Sequence, residues 1–166
     1  MIILGIDPGL AIVGWGVLDY SGSKFRVIGY GSLQTPAGMK TEDRLAAIYQ
    51  GMIQLIDTYH PEQIAVEELF FNTNITTGIR VAEARGVILL AGRQKNVALF
   101  EYTPLQVKQA VAGYGRADKK QVITMVTSLL RLKEPPKPDD TADALAIAVC
   151  HAHTGCSPLA AYYNLK

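Results

Sequence analysis

Ile3-Leu4-Gly5-Ile6-Asp7-Pro8-Gly9 sets the terms for the rest of the chain. An apolar run delivers one carboxylate to its end, and a Pro-Gly pair then turns the backbone. The run reads as a short buried strand over 2–7. An aspartate at the lip of a buried strand adds no stability unless a partner satisfies it. Asp7 is therefore the first candidate for chemistry. It also fits a simpler role, capping the turn that follows it.

Working outward, residues 12–20 read as a second strand in which Gly14 and Gly16 mark a close backbone approach or a bulge. Residues 25–34 read as a third, and the short turns between them make an antiparallel meander. Leu45, Ile48, Tyr49, Met52, Ile53 and Ile56 then recur at helical spacing, and Pro61 ends that helix. Gln63 to Glu68 is a fourth strand, and it too ends in carboxylates. A polar loop opens with Phe70 and Phe71. A helix over 76–95 and a fifth strand over 97–102 follow. Thr103-Pro104 opens the next helix in cap-then-proline order. Another helix runs from Asp118 to Arg131, and a last one, nearly all apolar, from Asp139 to His153. A helix apolar all round belongs against the sheet. The pattern predicts one α/β domain over 1–166: a mixed five-stranded sheet, three strands antiparallel and then parallel ones, flanked by helices. The last dozen residues show no periodicity and read as a mobile tail.

Composition agrees with a folded globule: 49% hydrophobic and 19% charged. No basic lead precedes the first apolar run, and no stretch is long and apolar enough to span a bilayer, so a cytoplasmic protein is expected. Two cysteines, Cys150 and Cys156, are too few for a disulfide scaffold. Cys150-His151-Ala152-His153 with Cys156 holds four potential zinc ligands, but the spacing matches no standard site. Net charge is +1, unevenly spread. Residues 80–133 carry 10 Lys/Arg against 3 Asp/Glu, whereas 1–79 carry 4 against 8 and 134–166 carry 2 against 4. A basic middle between acidic ends suits a surface that holds a polyanion over an acidic site.

Four carboxylates can meet there. If strands one and four lie side by side and parallel, Asp7 comes beside Glu67 or Glu68. Asp140 and Asp143, at i and i+3, share one face of the last helix. These two also fit an ordinary helix start, with Asp139 competing for the cap. Converging carboxylates repel unless a cation neutralises them, and hard oxygen ligands select Mg²⁺ or Mn²⁺. Two such ions roughly 3.5–4 Å apart clamp both oxygens of a phosphodiester displacement.

These residues carry a resemblance. Gly5-Ile6-Asp7-Pro8-Gly9, Ala65-Val66-Glu67-Glu68-Leu69-Phe70, Gln106-Val107-Lys108-Gln109 and Ala142-Asp143-Ala144-Leu145-Ala146-Ile147-Ala148, with the short Ala84-Arg85-Gly86, resemble the RuvC family of Holliday-junction resolvases, members of the RNase H-like fold. The resemblance covers nearly the whole chain. It implies a metal-binding catalytic tetrad of Asp7, Glu67, Asp140 and Asp143, with Glu67 placed by standing three residues before Phe70. Some members carry His at the position of Asp140. It implies Phe70 as the aromatic that stacks on an unpaired base at the junction centre. It further implies Lys108 near the scissile phosphate and Lys119 on the DNA backbone, with Lys120 a substitute. The expected enzyme is a homodimeric, Mg²⁺-dependent endonuclease that makes paired symmetric nicks in four-way DNA junctions, in recombination and repair, alongside a RuvA–RuvB branch-migration complex. The helix over 76–95 is the expected dimer face, through Val81, Ala84, Val87, Ile88 and Ala91. The rivals are an RNase H-type or transposase-type core on another nucleic acid, a non-catalytic junction binder, and a nucleotide-binding domain of the actin or sugar-kinase type.

Overall fold

The computed structural model describes residues 1–69 and 75–155. Strands β1 (Ile2–Asp7), β2 (Ile12–Ser21) and β3 (Lys24–Gln34) form the antiparallel meander. Helix α1 (Thr41–Tyr59) leads to β4 (Gln63–Glu67), α2 (Ile75–Gln94) and β5 (Ala98–Tyr102). Helices α3 (Pro104–Ala112), α4 (Lys119–Leu129) and α5 (Asp139–Thr154) complete the chain. The sheet order is β3-β2-β1-β4-β5, with β4 parallel to both β1 and β5. The mixed sheet is as the sequence predicts, and the first and fourth strands are indeed neighbours.

Period-two alternation divides the strands between two cores. Leu4, Ile6, Val13, Val17, Ile64 and Val66 meet α1 and α2 on one face. Ile3, Leu18 and Ala65 meet α3, α4 and α5 on the other. Ala84, Ile88 and Ala91 of α2 are consumed by the first of these cores. Three of the five residues expected at a dimer face on α2 are thus closed to a partner, while Ile79 and Leu90 of that helix are each about half exposed.

Helix ends follow local chemistry. Thr103 and Gln106 form a capping box with Pro104 in the first turn, and Asp118 and Gln121 form another. α4 ends two residues early, because Arg131 turns into the left-handed region at φ 52°.

Against the sheet, α5 sits unusually close. A Cβ on Gly14 would stand 2.0 Å from the Asp140 carbonyl oxygen, and one on Gly5 2.2 Å from that of Ala144. A Cβ on Gly16 would stand 2.6 Å from Leu145 Cδ2. Three glycines below and an alanine-rich helix above give a backbone-to-backbone contact that larger residues would prevent. The sequence reading of Gly14 and Gly16 as a close approach is what the structure shows.

Deep on α5, His151 is fully buried. Nδ1 pairs with the Tyr102 hydroxyl at 2.6 Å and Nε2 with Gln63 Oε1 at 2.5 Å. A neutral ring satisfies both, accepting at Nδ1 and donating from Nε2. Burial pushes the imidazole down to about 4. The folded state therefore resists a proton that the unfolded chain takes up near pH 6.5. Stability is complete above pH 6.5 and falls as pH drops toward 4, by about 3 kcal/mol in all. Denaturant titrations should show the advantage of the native protein over His151→Gln shrinking by that amount between pH 7 and pH 4. With His151 so engaged and the Cys150 thiol buried and pushed up to about 12, these two groups serve the core. Among the described residues no zinc-like cluster forms, and Cys156 lies outside them.

Candidate active site

Asp7 ends β1 and Glu67 ends β4, each one residue beyond the Ile6–Val66 pairing. By strand alternation both point to the α5 face, with Ile3 and Ala65. Glu68 has left the strand and is exposed, which settles the choice between the two glutamates. The α5 contact with Gly14 then sets the first turn of α5 directly over β1 and β2, since Gly14 is the partner of Asp7 in the sheet. This is how Asp140 and Asp143 reach Asp7. The alternative of a simple helix cap is not what forms. The N-cap position of α5 is Pro138, with no side-chain cap, and Asp139 and Asp140 occupy the first turn.

The Asp7 side chain makes no hydrogen bond among the described residues, so it does not cap its turn. A different device holds that turn. The buried Arg44 donates from Nε to Thr35 Oγ1 at 2.7 Å, and Thr35 Oγ1 donates to the Leu10 carbonyl at 2.5 Å. Thr35 N–H adds a bond to Ala11 O at 3.0 Å. Gly9 is required by space: a Cβ there would lie 2.3 Å from Ile12 O. Arg44 carried no sequence signal beyond its place in a helix start.

The electrostatics show four acids acting on one another. Burial, then Glu67, Asp143 and Asp140, hold the Asp7 carboxyl well above the usual carboxylate range. Burial and Asp143 raise Glu67 to about 7, against the pull of Lys108 and Lys119. Asp143 is raised by burial and by Asp140 and Asp139, opposed by its bond to Lys119. The Lys119 ammonium lies 3.1 Å from Asp143 and 3.7 Å from Asp139. Burial would lower Lys119, but its hydrogen bond to Asp143 and the neighbouring acids raise it. Asp139, read from sequence only as a rival cap, thus takes part in holding Lys119.

Lys108 of α3 and Lys119 of α4 therefore flank the carboxylates. Lys120 is exposed one position on. Phe70 and Phe71 lie outside the described residues. The donor chemistry fits a hard divalent cation: oxygen only, carboxylate only, and destabilised as a set by its own charge. Bringing three of these groups onto one ion takes side-chain rotation, since among the described residues no three stand close enough to share one.

A mixed sheet with acids gathered at the ends of two parallel strands, under a helix that adds two more, has the donor set that metal-assisted phosphodiester cleavage uses. Comparison with known proteins makes this specific. A family profile described as crossover junction endodeoxyribonuclease RuvC matches residues 3–151. The enzyme of that name from Halothermothrix orenii is 59% identical over 154 residues, covering 93% of each chain. The Thermus thermophilus RuvC structure superposes with a TM-score of 0.86 at 37% identity, over 93% of this chain and 95% of that one. Thermus thermophilus RuvC in complex with Holliday junction substrate gives 0.87 at 38%, over 92% and 93%. The chain belongs to the RuvC family of crossover junction endodeoxyribonucleases.

Proposed function

We propose that this protein resolves four-way DNA junctions by metal-dependent phosphodiester hydrolysis. The observation that carries this is the convergence of Asp7, Glu67, Asp140 and Asp143 at one sheet edge, with Lys108 and Lys119 beside them, in a chain of this family. The structure of a relative with Holliday junction substrate supports the choice of DNA. The four carboxylates would hold Mg²⁺, in two ions per site, with Mn²⁺ able to replace it. Bound there, the metal supplies an activated water and neutralises charge on the phosphate. Lys108 stabilises charge developing at the scissile phosphate, and Lys119 and Lys120 hold the flanking backbone. Phe70 stacks on an unpaired base at the junction centre.

Two symmetric nicks need two sites, and the outward apolar residues of α2, Ile79 and Leu90, support a homodimer. Such an enzyme acts where recombining DNA lies, in the cytoplasm, and hands over from a RuvA–RuvB branch-migration complex. Among the described residues no helix is long and apolar enough to cross a membrane.

One experiment tests the core of this. The protein is incubated with a mobile four-way junction and Mg²⁺, and cut sites are mapped on all strands, beside an RNA–DNA hybrid control. The expected result is paired cuts at symmetric positions in the junction, with the hybrid intact, and a sedimentation mass near twice 18.0 kDa. An intact junction at every metal concentration would overturn the proposal; a single mass of one chain would overturn the dimer.

A further inference from the structure

The connection between α3 and α4 has no part in the chemistry above, yet it is built like a binding surface. Tyr114 stands 47% exposed at its tip. Gly113 before it caps α3 in the left-handed region at φ 82°. Gly115 after it is pressed onto α3: a Cβ there would lie 2.1 Å from Leu105 Cδ1. Ala117 anchors the far side of the turn in the core at 1% exposure. The turn is thus fixed while its aromatic ring points outward. Tyr114 is packed into neither core, and its hydroxyl makes no hydrogen bond among the described residues. With Ala112, Lys120, Gln121, Thr124 and Met125 it lines a recess of about 310 Å³ between the two helices.

Charge says what covers this surface. Arg116, Lys119 and Lys120 are all exposed within five positions. The one acid among them, Asp118, is occupied by the Gln121 N–H at 2.8 Å. Position agrees: Lys119, on the same turn, reaches Asp143 of the active site at 3.1 Å. Arg116 and Lys120 lie within three positions of Lys119, so they are the next cations in the chain for a polyanion that lies over the carboxylates. Aromatic rings among cations on a rigid support are a recurring nucleic-acid surface, the ring taking an apolar sugar or base face and the cations the phosphates.

We propose that the Tyr114 turn is a landing site for the duplex arm that continues from the cleaved strand, with the Tyr114 ring against deoxyribose and Arg116 and Lys120 on adjacent phosphates. This rests on the junction as substrate. It assigns to the turn a share of affinity and none of the chemistry.

The test compares the full-length protein with Tyr114→Ser, Tyr114→Phe and Arg116→Ala, in chelator, on junctions with long arms and with arms trimmed to a few base pairs. On long arms Tyr114→Ser should bind about 5- to 10-fold more weakly, and Tyr114→Phe should bind like the native protein. Arg116→Ala should flatten the slope of log affinity against log salt by about one, and Tyr114→Ser should leave that slope unchanged. On trimmed arms the native protein and Tyr114→Ser should bind alike. With Mg²⁺ in place of the chelator, cleavage rates at saturating enzyme should match throughout. Equal affinity of Tyr114→Ser and native protein on long arms would overturn the proposal, and would leave a protein as the partner of this surface. Failure of the native protein to bind any junction would overturn the substrate reading and this one with it. Tight native binding with no loss in Tyr114→Ser overturns this one alone.

Discussion

Asp7→Asn is expected to abolish junction cleavage, leave junction binding within about threefold, and make the metal-free protein more stable. The three effects share one cause. Asp7 is held largely out of water with Glu67, Asp143 and Asp140 acting on it, and its carboxyl is raised accordingly. A raised acid works against folding wherever the unfolded chain would ionise and the folded one resists. Native stability therefore declines as pH rises past the ordinary aspartate value of about 4, and asparagine removes the decline. The gain should be absent below about pH 4 and reach about 1 kcal/mol near neutrality, the scale of a single well-placed stabilising change. Cleavage should fall by about 10³-fold or more, roughly 4 kcal/mol of transition-state stabilisation. Binding is expected to survive because the cations proposed to hold phosphate, Lys108, Lys119 and Lys120, are untouched. Junction cleavage, junction affinity and melting of the metal-free protein at several pH values check this together. Loss of binding and stability along with cleavage would show that Asp7 is structural.

The frame of this site was legible before its coordinates. Asp7 and Glu67 each end an apolar run, and strand alternation puts a strand-end acid on one face. Neighbouring parallel strands then bring the two together. Asp140 and Asp143 were legible as a pair on one helical face, but their direction was not. That depends on how close α5 comes to the sheet, which is decided by Gly5 and Gly14; Gly14 reads as a close approach, but the sequence does not say to which element. Helix α2 misled for the opposite reason. Its apolar residues run all round, so periodicity could not divide core from surface, and Ala84, Ile88 and Ala91 proved to face inward. Arg44 was invisible because its role lies in a tertiary hydrogen bond to Thr35. The resemblance offers Lys119 as a DNA-backbone contact, and its bridge to Asp143 and Asp139 needs the α4–α5 packing.

The glycine floor makes the second strong prediction, that Gly14→Ala disables the site without touching a catalytic group. The added methyl would meet the Asp140 carbonyl oxygen at 2.0 Å and its carbon at 2.4 Å. Both are backbone atoms in the first turn of α5, and Thr141 ties that turn to Gly31 O at 3.2 Å. No side chain can rotate out of the way, so the helix end must lift from the sheet. Overpacking of this kind costs about 2–3 kcal/mol. Misplacing reacting groups by about 1 Å costs on the order of 10²-fold in rate. Asp140 and Asp143 ride on that turn, whereas Asp7 and Glu67 stay on the sheet, so the tetrad is pulled apart. Gly16→Ala should do less, because it meets the tip of Leu145, which can shift. Gly38→Ala, with nothing within 4 Å, should change neither property. The expected order in both melting temperature and single-turnover cleavage is Gly38→Ala, then Gly16→Ala, then Gly14→Ala, from mildest to most severe. If Gly14→Ala melts and cuts like the native protein, the close seating of α5 is not what positions the acids.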